Sequence, residues 1–142
     1  MTPLARVIVA KIAVTVLFWA GPLVLAPEWL LEAAGLPPGA APLARLLGWA
    51  YLALGVGYGF GLREVLAGRR ATGAVVVGIV SNAGASAWLA YFGLTGAWAG
   101  WHPAFRIVAW SSAAVTLALA LGLYGYGLRD GAGMKASSAV RS

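Results

Sequence analysis

Apolar residues in this chain fall into four long runs separated by short polar or proline-rich breaks. The runs are Leu4 to Leu25, Leu43 to Leu62, Ala71 to Leu94, and Ala104 to about Leu123. A helix rises about 1.5 Å per residue, so roughly 20 apolar residues cross a hydrocarbon core of about 30 Å. Lipid gives backbone groups no partners, so each run should be a helix and not a strand. The pattern therefore predicts an all-α polytopic membrane protein, a bundle of four transmembrane helices forming one domain over residues 1–128. The stretch "RDGAGMKASSAVRS" (129–142) is polar and rich in glycine and serine, and reads as a disordered cytoplasmic tail.

The breaks carry ordinary punctuation. Pro22 and Pro27 close the first run, "LPPGAAP" (36–42) precedes the second, and "GWHP" (100–103) precedes the fourth. Pro42 and Pro103 suit a first helical turn, where a missing N–H is harmless. Between the first two spans, "PEWLLEAAGLPPG" (27–39) predicts a short interfacial helix, with Pro27 at its start, Glu28 in its first turn and Gly35 at its end. Its Trp29, Leu30, Leu31 and Leu36 would dip into the lipid surface, or the helix would act as a lid.

Composition supports a lipid environment. Of 142 residues, 61% are hydrophobic and 10% charged, with a mean hydropathy of +0.85. A water-soluble domain carries about a quarter charged residues. The net charge of +6 does not indicate nucleic acid, because no basic run is interleaved with aromatics on a polar face. It reads instead as an orientation signal. Arg6, Lys11, Arg63, Arg69, Arg70, Arg129, Lys135 and Arg141 fall on one side of the layout, and Arg45 and Arg106 on the other. This bias places both termini and the loop "REVLAGRR" in the cytoplasm. Lys11 lies about a turn inside the first span, where its stem would snorkel back to the headgroups. "VLA" (24–26) resembles a signal-peptide cleavage site, but Pro27 follows it directly and the apolar run exceeds a 7–15-residue core. Four retained spans are expected.

All seven tryptophans fall on the outer side of this layout: Trp19, Trp29, Trp49, Trp88, Trp98, Trp101 and Trp110. They form either an outer-leaflet anchor belt or the wall of a cavity opening outward. Pro42-x-x-Arg45-x-x-x-Trp49 is echoed by Pro103-x-x-Arg106-x-x-x-Trp110, and Trp19/Trp29 and Trp88/Trp98 are both ten apart. These echoes fit either two parallel repeats or the generic grammar of span ends. Arg45 and Arg106 sit in first helical turns, where the dipole is already positive, so each wants an anion nearby. Glu28, Glu32, lipid phosphate or an anionic ligand would serve, and the i, i+4 spacing allows each arginine to meet its own indole; the alternative is that both arginines simply snorkel to the headgroups.

Near the bilayer centre lie Thr15, Ser81, Asn82 and Thr116, with Gly78, Asn82 and Ser86 on one face of the third span. "GVGYGFG" (55–61) in the second span offers Gly55-x-x-x-Gly59 and Gly57-x-x-x-Gly61, where small residues let backbones approach. Asn82 reads as a hydrogen-bonding link across that contact, or as a polar contact at the floor of a cavity. The ligand-binding candidates are thus Arg45, Arg106, Trp49, Trp88, Trp110 and Asn82.

Enzymatic signals are thin. Cysteine is absent, which excludes thiolate metal and CxxC chemistry, and a single histidine excludes bis-histidine haem. His102, Glu28 and Glu32 are the residues an acid–base or metal site on the outer face would use. No metal or cofactor is predicted, although quinone or lipid would suit the aromatic surface as a ligand.

The second span, "RLLGWAYLALGVGYGFGLRE" (45–64), with Arg-x-x-Gly followed by a glycine-rich turn, resembles small bacterial inner-membrane proteins of the DoxX-like type. The resemblance covers the layout and this one span. It implies a four-helix bundle in the bacterial inner (cytoplasmic) membrane, and some members are linked to quinone- or sulfur-related redox partners. No cysteine or cofactor motif here carries that activity over. The sterol-isomerase-like membrane fold needs acidic and histidine residues within its spans, which this chain lacks.

The sequence is best read as a non-enzymatic membrane protein that binds a lipophilic molecule or partner subunit through its outer Trp/Arg surface. Membrane lipid and a second copy of the chain are the other partners it allows. The alternatives are a small transporter, built as a duplicated hairpin or a homo-oligomer, and a membrane enzyme using Glu28, Glu32 and His102. The orientation is directly testable. A reporter active only in the cytoplasm should work at either terminus and fail in the 95–102 loop; activity in that loop would reverse the assigned direction.

Overall fold

The computed structural model describes residues 1–129, and all their regular structure is helical. α1 runs Pro3–Leu25, α2 Glu28–Ala33, α3 Ala41–Leu66, α4 Thr72–Leu94 and α5 Pro103–Arg129. Four of these, all but α2, are long and apolar enough to cross a membrane. The expected spans are therefore present, with α3 and α5 longer than their apolar runs. Beyond Arg129, the tail expected to be disordered lies outside the described residues.

Local chemistry sets the helix ends. The Thr2 hydroxyl accepts the Ala5 N–H at 3.2 Å, and Pro3 follows in the first turn. His102 caps α5 in the same way, its Nδ1 accepting the Ala104 N–H at 3.3 Å. Pro22 would break a regular ladder, having no N–H and a ring that crowds the carbonyl four residues back. α1 accommodates it with a π-helical stretch over Thr15–Ala20, in which the Gly21 N–H reaches the Val16 carbonyl. A single π turn inside an α-helix is a frequent companion of functional sites.

The four long helices pack as an up-and-down bundle whose two ends are filled differently. Towards the start of α1, the centre is plugged by one large side chain from each helix: Ile8, Tyr58, Val75 and Leu123. Towards the tryptophan-rich end, the buried positions are small: Thr15 and Ala20 on α1, Ala44, Gly48 and Gly55 on α3, Ser86 on α4, and Ala109 and Ala113 on α5. Large apolar side chains instead coat the outside, among them Leu17, Phe18, Leu46, Phe60, Val80 and Ile107. Small residues inside and bulky ones outside are what association within lipid favours, because lipid-facing apolar surface incurs no hydration penalty.

The loop helix departs from expectation. The leucines of α2 turn into the protein: Leu31 is buried with Ala26 and Ala44, and Leu30 and Leu36 pack against that cluster. Only Trp29 of the four stays outward. Glu28 closes the loop by accepting the Gly39 N–H at 3.2 Å. Gly35 has φ +100°, and its open side lies against the Trp101 indole, where a Cβ would collide. That contact fastens the first loop to the second.

The glycine-rich segment of α3 packs only in part. Gly55 and Gly61 face Val16 and Ala74, whereas Gly57 and Gly59 face open space. Neither expected Gly-x-x-x-Gly pair is therefore a continuous contact, because each has one member on the outer surface.

Gly35 and Gly39 provide a matched test. Both have positive φ, but only Gly35 has a neighbour in the way. Gly39→Ala should cost the backbone term alone, about 1–2 kcal/mol. Gly35→Ala should cost ~1–3 kcal/mol more through displacement of Trp101. Unfolding in detergent would measure both, and equal losses would remove Trp101 from the account.

Candidate functional site

The buried charge of the bundle is on α1. Lys11 is 6% exposed and does not snorkel to an interface as expected; its ammonium turns into the bundle and donates to Asn82 Oδ1 at 3.0 Å. It also lies 4.8 Å from the centroid of the Tyr58 ring. A lysine at mid-helix in lipid costs roughly 2.5–3.5 kcal/mol on insertion scales, so it turns towards whatever can solvate it. An amide oxygen and an aromatic face do so here.

Asn82 is held for this task. Its Nδ2 donates to the Gly78 carbonyl at 2.7 Å, which leaves Oδ1 for the ammonium. The opposite amide orientation would set two donors against each other. Beside it, Ser81 Oγ reaches the same carbonyl at 3.2 Å and shares a hydrogen bond of 3.0 Å with Tyr58 OH. Asn82 is thus a link between helices, as expected, but its partner is Lys11 of the first span and not the second span. The polar level is completed by Thr116, whose hydroxyl donates to Ser112 O at 2.8 Å and Ala113 O at 3.1 Å.

Directly above this level is a cavity of about 240 Å³. Lys11, Thr15, Ser81, Asn82 and Thr116 form its floor, and Trp19, Tyr51, Trp88 and Phe92 line it towards the tryptophan-rich end. It exists because the plug of large side chains stops at Tyr58, while the residues above are small. The slower turn of the π segment brings Trp19 round towards the face carrying Lys11 and Thr15. Trp19 meets Tyr51 at 5.9 Å between ring centroids, and Trp88 stacks on Phe92 at 5.4 Å. With Trp88 61% exposed, the aromatic rim also reaches the bundle surface.

The other candidates are placed elsewhere. Arg45 donates to the Leu23 carbonyl at 2.8 Å and the Ala26 carbonyl at 2.6 Å, satisfying the end of α1. Its partners are backbone carbonyls, not Glu28, Glu32 or Trp49. Arg106 is exposed on α5, so the two repeated arginines differ in environment. Trp49 is 64% exposed on the bundle surface. Trp110 meets Trp98 edge-on at 5.4 Å, and Trp98 stacks on Trp101 at 5.8 Å, over Gly93. Trp98, 5% exposed, is a loop core residue and not a belt anchor. Of the six ligand-binding candidates, Asn82 and Trp88 line the cavity; Lys11, Thr15, Trp19 and Tyr51 were missed.

His102, Glu28 and Glu32 are not brought together by any bond. The imidazole caps a helix and meets Phe105, and Glu28 holds Gly39. No group of three or more metal-ligating side chains occurs among the described residues. Comparison with protein families, curated proteins and solved structures finds no match.

The Lys11–Asn82 bond should behave as a coupled pair. Asn82→Leu leaves a buried ammonium facing a ring alone and should cost ~3–5 kcal/mol. Lys11→Met leaves a buried amide oxygen bare and should cost about 1–3 kcal/mol. The double variant should lose less than the sum by at least about 1 kcal/mol. Strict additivity in detergent unfolding would show the bond to be incidental.

Proposed function

We propose that this chain is a multi-pass membrane protein that binds a lipophilic molecule in the cavity between α1, α3 and α4. It has both termini in the cytoplasm, resides in the inner membrane and acts without catalysis. The observation that carries the reading is the cavity itself, polar at its floor and aromatic at its rim. Binding sites for small molecules are concave and mainly apolar, with a few convergent polar groups fixing orientation, and this one has that composition. The functional surface is therefore narrower than the whole Trp/Arg face: Arg45 serves the fold, and Trp19 and Trp88 serve the cavity.

A transporter is the second reading, favoured by one observation. A further hollow of about 690 Å³ between α3 and α4 runs from Leu54 and Tyr58 to Glu64 and Arg70. It shares Leu54 with the first, and Tyr58 on its wall bonds to Ser81 on the floor of the other. Ligand flux across liposomes would decide for this reading.

For binding, native mass spectrometry of the detergent-purified protein should retain a lipophilic adduct. Trp19→Ala or Trp88→Ala should each weaken it by roughly 1 kcal/mol, about fivefold in affinity, through lost aromatic contact. Trp29→Ala, on the exposed loop helix, should not. Adducts that respond equally to all three, or no saturable adduct at all, would overturn the proposal.

A further inference from the structure

We infer that the cavity selects a single-chain amphiphile with a compact anionic head, such as a long-chain carboxylate, and that Lys11 is its counter-ion. The inference rests on the cavity being a binding site for a lipophilic molecule. Three observations carry it.

The first is a charge with no countercharge beside it among the described residues. The chain's acidic residues are Glu28, Glu32, Glu64 and Asp130. The first two belong to the loop helix, and Glu64 lies in the last turns of α3, on the far side of the Tyr58 plug. Lys11 instead meets one neutral amide oxygen and one ring face. An ammonium has three N–H donors, and Asn82 takes one. The remaining capacity lies at the cavity floor, where an anionic acceptor would add charge pairing to the hydrogen bond.

The second is the character of the floor. Thr15, Ser81 and Thr116 share the cavity floor with Lys11. Thr116 donates to backbone carbonyls of its own helix and Ser81 has Gly78 O and Tyr58 OH within reach, so the charged donor on this floor is Lys11. A site so arranged discriminates by what the ligand accepts.

The third is size. At about 240 Å³ the hollow is smaller than the ~300–1,000 Å³ of pockets that enclose drug-sized ligands. It accommodates a head and the first part of a chain. The rest must leave past Trp19 and Trp88, and the exposure of Trp88 gives it an exit to the bundle surface. A two-chain lipid with a large headgroup does not fit that description.

The test uses the full-length protein in nanodiscs of zwitterionic lipid, titrated with a dibrominated stearic acid and, separately, with its methyl ester. Bromine quenches tryptophan on contact; the outward indoles give an unsaturable background, and the saturable part lost in Trp19→Phe reports entry. The acid, ionised at neutral pH, should quench saturably and bind roughly 10-fold or more tightly than the ester, the scale of one charge-assisted bond. Lys11→Met should erase that preference, so that acid and ester bind with equal affinity. Equal affinity of wild-type protein for acid and ester would overturn the inference and leave lipophile binding standing. Failure of both ligands to quench saturably would instead remove the binding reading beneath it. The acid–ester comparison needs no Lys11 variant, so a folding defect in Lys11→Met cannot obscure the result.

Discussion

An ammonium at the centre of an apolar helix bundle has to be solvated by protein, and much of this structure follows from how that is done. Lys11 lies near the middle of α1, too deep for easy retreat and surrounded by helices with few polar side chains. Asn82 supplies an oxygen because Gly78 holds the other half of its amide. Tyr58 supplies a ring face because its hydroxyl is tied to Ser81. The polar level is thus one connected arrangement on α1, α3 and α4, in which each bond orients the next group. Arrangements of this kind resist piecemeal change, because removing one member leaves another buried without a partner.

That level also divides the bundle. On one side, four bulky side chains meet at the axis; on the other, small residues bring the helices close without filling the space beside them. The cavity is the consequence. Close approach through glycine, alanine and serine leaves a hollow wherever a large neighbour points away, and Trp88 points largely outward. Pro22 contributes from further along α1. By forcing the π stretch, it changes the facing of Thr15–Ala20 and sends Trp19 to the rim. A backbone defect demanded by one proline thereby shapes a site several residues earlier in the chain.

The fold was legible because lipid solvation writes itself in long apolar runs, and run length alone located α1, α3, α4 and α5. The face Gly78, Asn82, Ser86 was also readable, since helical spacing places those residues together and all three are buried. What failed was side-chain direction. Snorkelling is the ordinary fate of a lysine in a span, and nothing local to "IVAKIAV" indicates that an amide waits across the bundle. Arg45 was misjudged for a similar reason. Its position in a first turn suggested a need for an anion, but carbonyls at the end of α1 meet that need, and only packing brings them near. Trp98 looked like a belt residue by composition, yet Gly93 opens a place for it in the loop core. Each error concerns a long-range contact between residues whose own sequence neighbourhoods are bland.

The choice of asparagine at position 82 bears on what the site is for. A carboxylate there would neutralise Lys11 outright, and an apolar pair at both positions would avoid the desolvation cost altogether, often with a gain in stability. The chain takes neither course. An amide orients the ammonium and leaves its charge intact, at a level where a hollow meets it. If structure were the sole requirement, a buried cation facing a neutral partner would be the poorest of the three solutions. It makes physical sense where the charge is kept for something that arrives from outside the chain.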